Sequence, residues 1–255
     1  KGQPVSASAI PSNTNNLFKL KEVSPEKHSR ITSQISELDR VLGGGMMPGS
    51  VVLIGGEPGI GKSTLLLQVT LQNPDKNILY VAGEESAAQI KDRADRIGTI
   101  SEKCLISTEL TVEKLNNQLT KEKPDLIIVD SIQTLQSQNL ESIPGTISQI
   151  RESAYQLINM AKYLNVPLFL VGHITKSGNI AGPKVLEHMV DTVLQFEGEH
   201  TGQLRLLRTT KNRFGSTAEI GVFEMQQDGL REVTNPSELL TQQYGGNLTG
   251  TAVAI

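Results

Sequence analysis

The stretch "GEPGIGKST", residues 56–64, has the spacing G-x-x-x-x-G-K-[ST], with glycines at 56 and 61 followed by Lys62 and Ser63. Each residue type answers a need of phosphate chemistry. Glycines let the backbone curl until its N–H groups point inward, and the amino end of a following helix adds positive potential. The loop Gly56, Glu57, Pro58, Gly59, Ile60, Gly61, Lys62, Ser63 and Thr64 would then wrap phosphate oxygens. Lys62 would reach the β- and γ-phosphates, and the Ser63 hydroxyl would take Mg2+. By average residue usage this pattern arises by chance in about one chain per hundred of this size. Here it also follows a strand pattern and opens a helical one, which implies a site for ATP with Mg2+.

Three more strand ends carry groups suited to the same chemistry. "LIIVDS" places Asp130 at the end of a strand expected beside the first, where a carboxylate would hold the metal directly or through water. "YVAGEES" ends in two carboxylates: Glu84, nearer the strand end, is the candidate for polarising an attacking water. Glu85 reads better as an acid at the amino end of the next helix. "LFLVGH" ends in His173, which could touch the γ-phosphate and report its presence to the following loop; a satisfied polar histidine is the equally open alternative. Far downstream, "RTTKNRFGST" sets Lys211 and Arg213 two apart, with Phe214-Gly215 behind them. On a strand the two cations project from one face. On spacing alone they read as a solvated pair on an edge strand.

Something must position these ends. Apolar runs at 50–56, 77–83, 124–131 and 166–173 alternate with helical patterns at 62–72, 86–98 and about 146–164, and "CLIST" with "TVEKLNNQLTKE" repeats the unit. Ser86 caps the second of these helices and Gly98 stops it. Runs that are continuous rather than alternating mean strands covered on both faces, hence a parallel sheet with helices on each side. From residue 190 the pattern changes to consecutive strands, "DTVLQFE", "QLRLLRTT" and "EIGVFEMQ", with an Asp228-Gly229 turn, which fits an antiparallel extension.

The bulk numbers exclude several classes. A chain of 255 residues with 37% hydrophobic and 20% charged content, and no apolar run near membrane-spanning length, reads as soluble with no membrane partner. A net charge of −3 argues against a uniform coat of charge on nucleic acid but leaves room for a local basic channel. The single cysteine, Cys104, rules out a disulfide or a cysteine zinc site within this chain, points to a reducing, cytoplasmic setting, and reads as a buried small residue on a strand. Residues 1–29, polar and rich in Ser, Asn and Pro, read as a flexible lead-in, and 236–255 as a linker.

The stretches "LDRVLGGGMMPGSVVLIGGEPGIGKST", "YVAGEES", "LIIVDSIQT", "GTISQIRESA", "GHITKSGNIAGPKVLEHMVDTVLQFEG" and "TTKNRFGS" resemble the RecA-type ATPase core of the bacterial RadA (Sms) family across roughly residues 31–233. The combination of "IAGPKVLEHMVD" with "KNRFG" is the more specific part. The resemblance implies a RecA-like P-loop ATPase core over 30–235, α/β, with a mostly parallel central sheet flanked by helices and a C-terminal antiparallel extension. It further implies a DNA-dependent ATPase that forms hexameric rings on single-stranded or branched DNA and drives branch migration in recombinational repair. Family members are similar to a three-part protein, so 236–255 would lead toward a Lon-like domain. Contact with the RecA recombinase would rest on a zinc finger for which this chain lacks the cysteines. Lys211 and Arg213 would act on the γ-phosphate of a neighbouring subunit's ATP.

Two loops would line DNA, 136–153 and 175–188, with Lys176, Lys184 and Arg151 as cations. Neither carries an aromatic, so the contact would be backbone-directed and tolerant of sequence. Without the resemblance these are ordinary solvated loops. Two rivals stay open at this stage: a recombinase forming open filaments, and a KaiC-like scaffold ATPase that binds no DNA.

Overall fold

In a computed structural model, which describes residues 29–173, 182–198 and 203–234, the strand-forming runs gather into one sheet. Its strands are β1 (Val51–Gly56), β2 (Ile78–Ala82), β3 (Cys104–Ser107), β4 (Leu126–Asp130), β5 (Leu168–His173), β6 (Thr192–Gly198), β7 (Leu204–Asn212), β8 (Ile220–Gln226) and β9 (Gly229–Glu232). The helices are α1 (Ser36–Val41), α2 (Lys62–Leu71), α3 (Ala87–Ile97), α4 (Val112–Glu122), α5 (Ile147–Leu164) and α6 (Gly182–Leu186). Strand order is β3-β2-β4-β5-β1-β6-β7-β8-β9. The first six are parallel and the remaining three antiparallel.

Burial explains why the apolar runs form strands. β1, β2 and β4 are buried at every residue, so both faces must be covered. One apolar layer joins Leu38, Leu65, Leu66 and Ile90 to Ile54, Tyr80, Ile128 and Phe169. The other joins Leu115, Leu157, Ile158 and Leu186 to Val51, Leu53, Val129 and Leu170. Helices α1 to α3 therefore cover one face, and α4 to α6 the other.

Three expectations need correction. Asp130 does not end a strand beside the first, because both edges of β1 are taken, one by β5 and the other by β6. β6 does not belong to the antiparallel extension: the chain crosses over through α6, so Thr192–Gly198 runs parallel to β1 and the reversal starts at β7. Cys104 is half-buried rather than buried, since β3 is the outer strand; Leu105 and Ile106 beside it are exposed, and what burial Cys104 has pushes its thiol pKa up.

The antiparallel extension folds back over the start of α2. Gln68 makes the joint: its Nε2 donates to Leu230 O at 2.9 Å, and the Leu230 N–H donates to its Oε1 at 2.8 Å. The Asp228-Gly229 turn joins β8 to β9 as expected, with Gly229 at φ 128°. Among the described residues no helix is long and apolar enough to cross a membrane. All of the lead-in at 1–29 except its last residue, the whole linker at 236–255, and Lys176 lie outside the described residues.

Candidate nucleotide site

The phosphate-loop residues occupy the carboxyl edge of the sheet, where β1 ends at Gly56 and α2 begins at Lys62. Gly61 caps that helix at φ 122°, a conformation other residues rarely take, and a Cβ there would lie 2.9 Å from Met225 Cε. Lys62 is almost fully buried, and its Nζ donates to Gly56 O at 2.9 Å and Glu57 O at 2.8 Å. In this pose the lysine satisfies carbonyls of its own loop. Burial holds its pKa down to about 8, against the pull of Asp130 and Glu84.

Parallel register brings the other strand ends alongside. His173 is the register partner of Gly56, and Asp130 that of Ala82. Asp130 Oδ2 accepts from Tyr80 Oη at 2.7 Å; burial first, and then this carboxylate, push the tyrosine pKa well up. Glu84 Oε1 takes Ser131 Oγ at 2.6 Å and lies 2.8 Å from His173 Nε2. His173 Nδ1 is buried with no hydrogen-bond partner among the described residues. Gly83 permits the close approach behind Glu84, because a Cβ there would sit 1.8 Å from Thr134 Oγ1.

A cavity of about 270 Å³ connects these groups. Its lining includes Lys62, Ser63, Thr64, Glu84, Asp130 and His173, all six of them sequence candidates. A carboxylate and a hydroxyl, Asp130 and Ser63, face the same space and are hard oxygen donors of the kind Mg2+ prefers. Met225 and Arg93 are among the cavity residues that were not sequence candidates. Met225 comes from β8 and closes the space over the loop. Arg93, on α3, pairs with Glu85 through Nη2–Oε2 at 2.6 Å. Glu85 is therefore not the cap of α3, a role filled by Ser86 with Gln89 in a capping box. A cation three residues after Ile90, on the inward face of an amphipathic helix, was the available signal for Arg93.

Lys211 and Arg213 lie elsewhere. Gly56 is level with Phe196 on β6, and Phe196 with Leu207 on β7. Lys211 is level with Val193, three residues back along β6 from Phe196, about 10 Å toward the opposite edge of the sheet. An extra residue, Thr210, bulges β7 between the partners of Val193 and Leu194 and turns the strand end. Both cations then face the segment before β6. Lys211 Nζ donates to Glu187 O at 2.7 Å and Val190 O at 2.8 Å, and Arg213 Nη1 lies 3.1 Å from Asp191 Oδ1. Arg213 is 54% exposed, and burial lowers the Lys211 pKa. The Phe214 turn is held by Arg30, whose Nη2 donates to Phe214 O at 2.6 Å, and by the Phe214 N–H donating to Asn212 Oδ1 at 2.9 Å.

Of the candidate DNA cations, Arg151 on α5 and Lys184 on α6 are exposed, and the two helices, one before β5 and one after it, pack together.

A family model described as an AAA domain matches residues 15–179. The chain is 50% identical over 238 residues to the DNA repair protein RadA of Streptococcus pyogenes serotype M1, covering 93% of this chain and 52% of that protein. It is 49% identical to the protein of that name from Streptococcus pneumoniae (93% and 57% covered) and 47% identical to that of Bacillus subtilis (91% and 51%). The resemblance read from the motifs is thereby borne out, and so is the P-loop α/β core. The chain spans about half the length of the curated relatives it matches.

Proposed function

The chain belongs to the AAA domain family, ATP hydrolases, and on that premise we propose that it is the ATPase core of a cytoplasmic DNA-repair protein. In this reading it is a DNA-dependent motor that assembles as a closed, hexameric ring and promotes branch migration. The observation that carries the reading is the division of the site. The phosphate loop with Glu84 and Asp130 occupies one edge of the sheet, and Lys211 with Arg213 the other.

The residues divide the work as follows. The loop N–H groups and Lys62 take the phosphate oxygens, the lysine exchanging its two loop carbonyls for them. The Ser63 hydroxyl and the Asp130 carboxylate would hold Mg2+, which would supply neutralising charge to the phosphates. Glu84 orients water and takes its proton. Its bonds to Ser131 and His173 both use Oε1, which leaves Oε2 to meet the water. His173 then shifts at the end of β5 and carries the change toward α6.

Arg213 acts on the neighbour's ATP, neutralising charge on the transferring phosphoryl group, a contribution of about 10³ to 10⁵ in rate for such fingers. Its exposure suits it to reach outward. Lys211, tied to two carbonyls of its own protomer, assists from behind. Arg151 and Lys184, with Lys176, grip the phosphates of single-stranded or branched DNA. RecA recombinase is a partner for the longer protein of which this core would be part.

The test is hydrolysis with and without a single-stranded oligonucleotide at low and at high salt. Stimulation at low salt that fades as salt rises is the expected result. No stimulation and no binding at low salt would leave a scaffold ATPase and remove the motor.

A further inference from the structure

Arg93 is a guanidinium at the wall of the nucleotide cavity with most of its donors unused. It lies on the inward side of α3, where its side chain is 17% exposed. Nη1 donates to Glu85 Oε1 at 3.1 Å and Nη2 lies 2.6 Å from Oε2. Nε is buried with no hydrogen-bond partner among the described residues. A guanidinium has five N–H groups in a fixed planar fork, and one carboxylate engages only a pair of them. Leaving the others buried without an acceptor is costly, and the cost falls when an anion enters.

Charge points the same way. The cavity wall carries three carboxylates, Glu84, Glu85 and Asp130, against two basic side chains, Lys62 and Arg93, of which only the arginine keeps its charge at every working pH. A triphosphate brings further negative charge into this space, and Lys62 alone does not balance it. The planar fork of arginine matches phosphate oxygens two at a time.

We propose that Arg93 binds the terminal phosphoryl group of the nucleoside triphosphate within its own subunit, with Glu85 holding the guanidinium ready in the meantime. The inference rests on the nucleotide reading of the cavity. It assigns the chain a cation that tells triphosphate from diphosphate without help from a neighbour, in contrast to Arg213.

The experiment is a titration of the full chain with a fluorescent non-hydrolysable ATP analogue and with the matching ADP. Wild type is compared with Arg93→Ala and Arg93→Lys at a protein concentration low enough to keep subunits apart. Arg93→Ala is expected to weaken the triphosphate analogue about tenfold or more while leaving ADP within about twofold, a single charged contact to phosphate being worth that much. Arg93→Lys recovers part of the preference. Equal weakening for both nucleotides would mean that the pair with Glu85 only braces α3, and no weakening would mean that Arg93 does not meet the ligand; either overturns the proposal. Should Arg93→Ala fail to fold, the ratio of the two affinities in Arg93→Lys decides in the same way. Wild type that binds neither nucleotide would overturn the nucleotide reading itself, and with it this inference.

Discussion

Glu84 Oε1 and His173 Nε2 are 2.8 Å apart, across two strands that do not pair with each other. The contact spans β5 and the loop after β2, with β4 between them, and Ser131 donates to the same Glu84 oxygen. A carboxylate engaged in this way cannot also accept a water proton through that oxygen. Glu84→Gln keeps the shape and removes the base. Hydrolysis should fall about 10² to 10⁴-fold while ATP binding persists, measured by phosphate release beside nucleotide titration. His173→Ala should lower the DNA-stimulated rate more than the basal rate, since the histidine leads into the segment toward α6.

On the shared-site reading, Arg213→Ala should cut hydrolysis by about 10³-fold or more and spare ATP affinity, the missing charge being one supplied to the neighbour's site. Mixing these subunits with Glu84→Gln subunits should restore part of the activity, each supplying what the other lacks. Mixed assemblies as inactive as either parent would place Arg213 outside the reaction.

Lys62 makes ATP binding depend on pH. Its pKa is lowered to about 8 by burial, from an ordinary 10.5. Phosphate oxygens favour the charged form and raise the value in the complex, so a proton is taken up on binding wherever the free lysine is neutral. Affinity should be full below pH 8 and fall as pH climbs above it, by at most about tenfold per unit. For the nucleotide-free fold the sign is opposite. Its unfolded lysine holds the proton between about 8 and 10.5, so stability rises with pH across that window. Calorimetric titration at pH 7 and pH 9, in buffers of differing ionisation heat, measures both affinity and proton uptake.

Gln68→Leu should destabilise the domain by about 2–4 kcal/mol, because it strips partners from the buried N–H and C=O of Leu230. The hairpin that carries Met225 over Gly61 should loosen first. A thermal melt reports the loss, and protection of amide hydrogens on β9 locates it; a melt unchanged from wild type would show that the hairpin stands without this joint.

The legible parts of the site were those fixed by local rules. Gly56–Thr64 announces itself by spacing, and Asp130, Glu84 and His173 by their places at the ends of buried strands. Parallel register aligns such ends at one edge without further information. Strand order was harder, because the apolar runs of β1, β4 and β5 look alike, and their neighbours are settled by crossovers rather than by composition. Arg93 and Met225 enter the cavity by helix rotation and by a long-range fold-back. The sequence carries no mark of Met225, and marks Arg93 only by its place three residues after Ile90 on an amphipathic helix. The placement of Lys211 depends on the bulge at Thr210, which breaks the simple alternation of side chains along β7.

Asp191 has a second role, visible in what each of its oxygens holds: Oδ1 meets Arg213 and Oδ2 takes the N–H of Val51 at 3.0 Å. Val51 begins the fully buried strand that ends at Gly56. A stiff rod of backbone, about 17 Å from first residue to last, thus has the nucleotide grip at its head and the tether of the outward-reaching arginine at its foot. Under the shared-site reading, whatever the loop senses is passed along one covalent line to the residue that sets the pace of the next subunit, and the firing order around an assembly would be timed from inside β1.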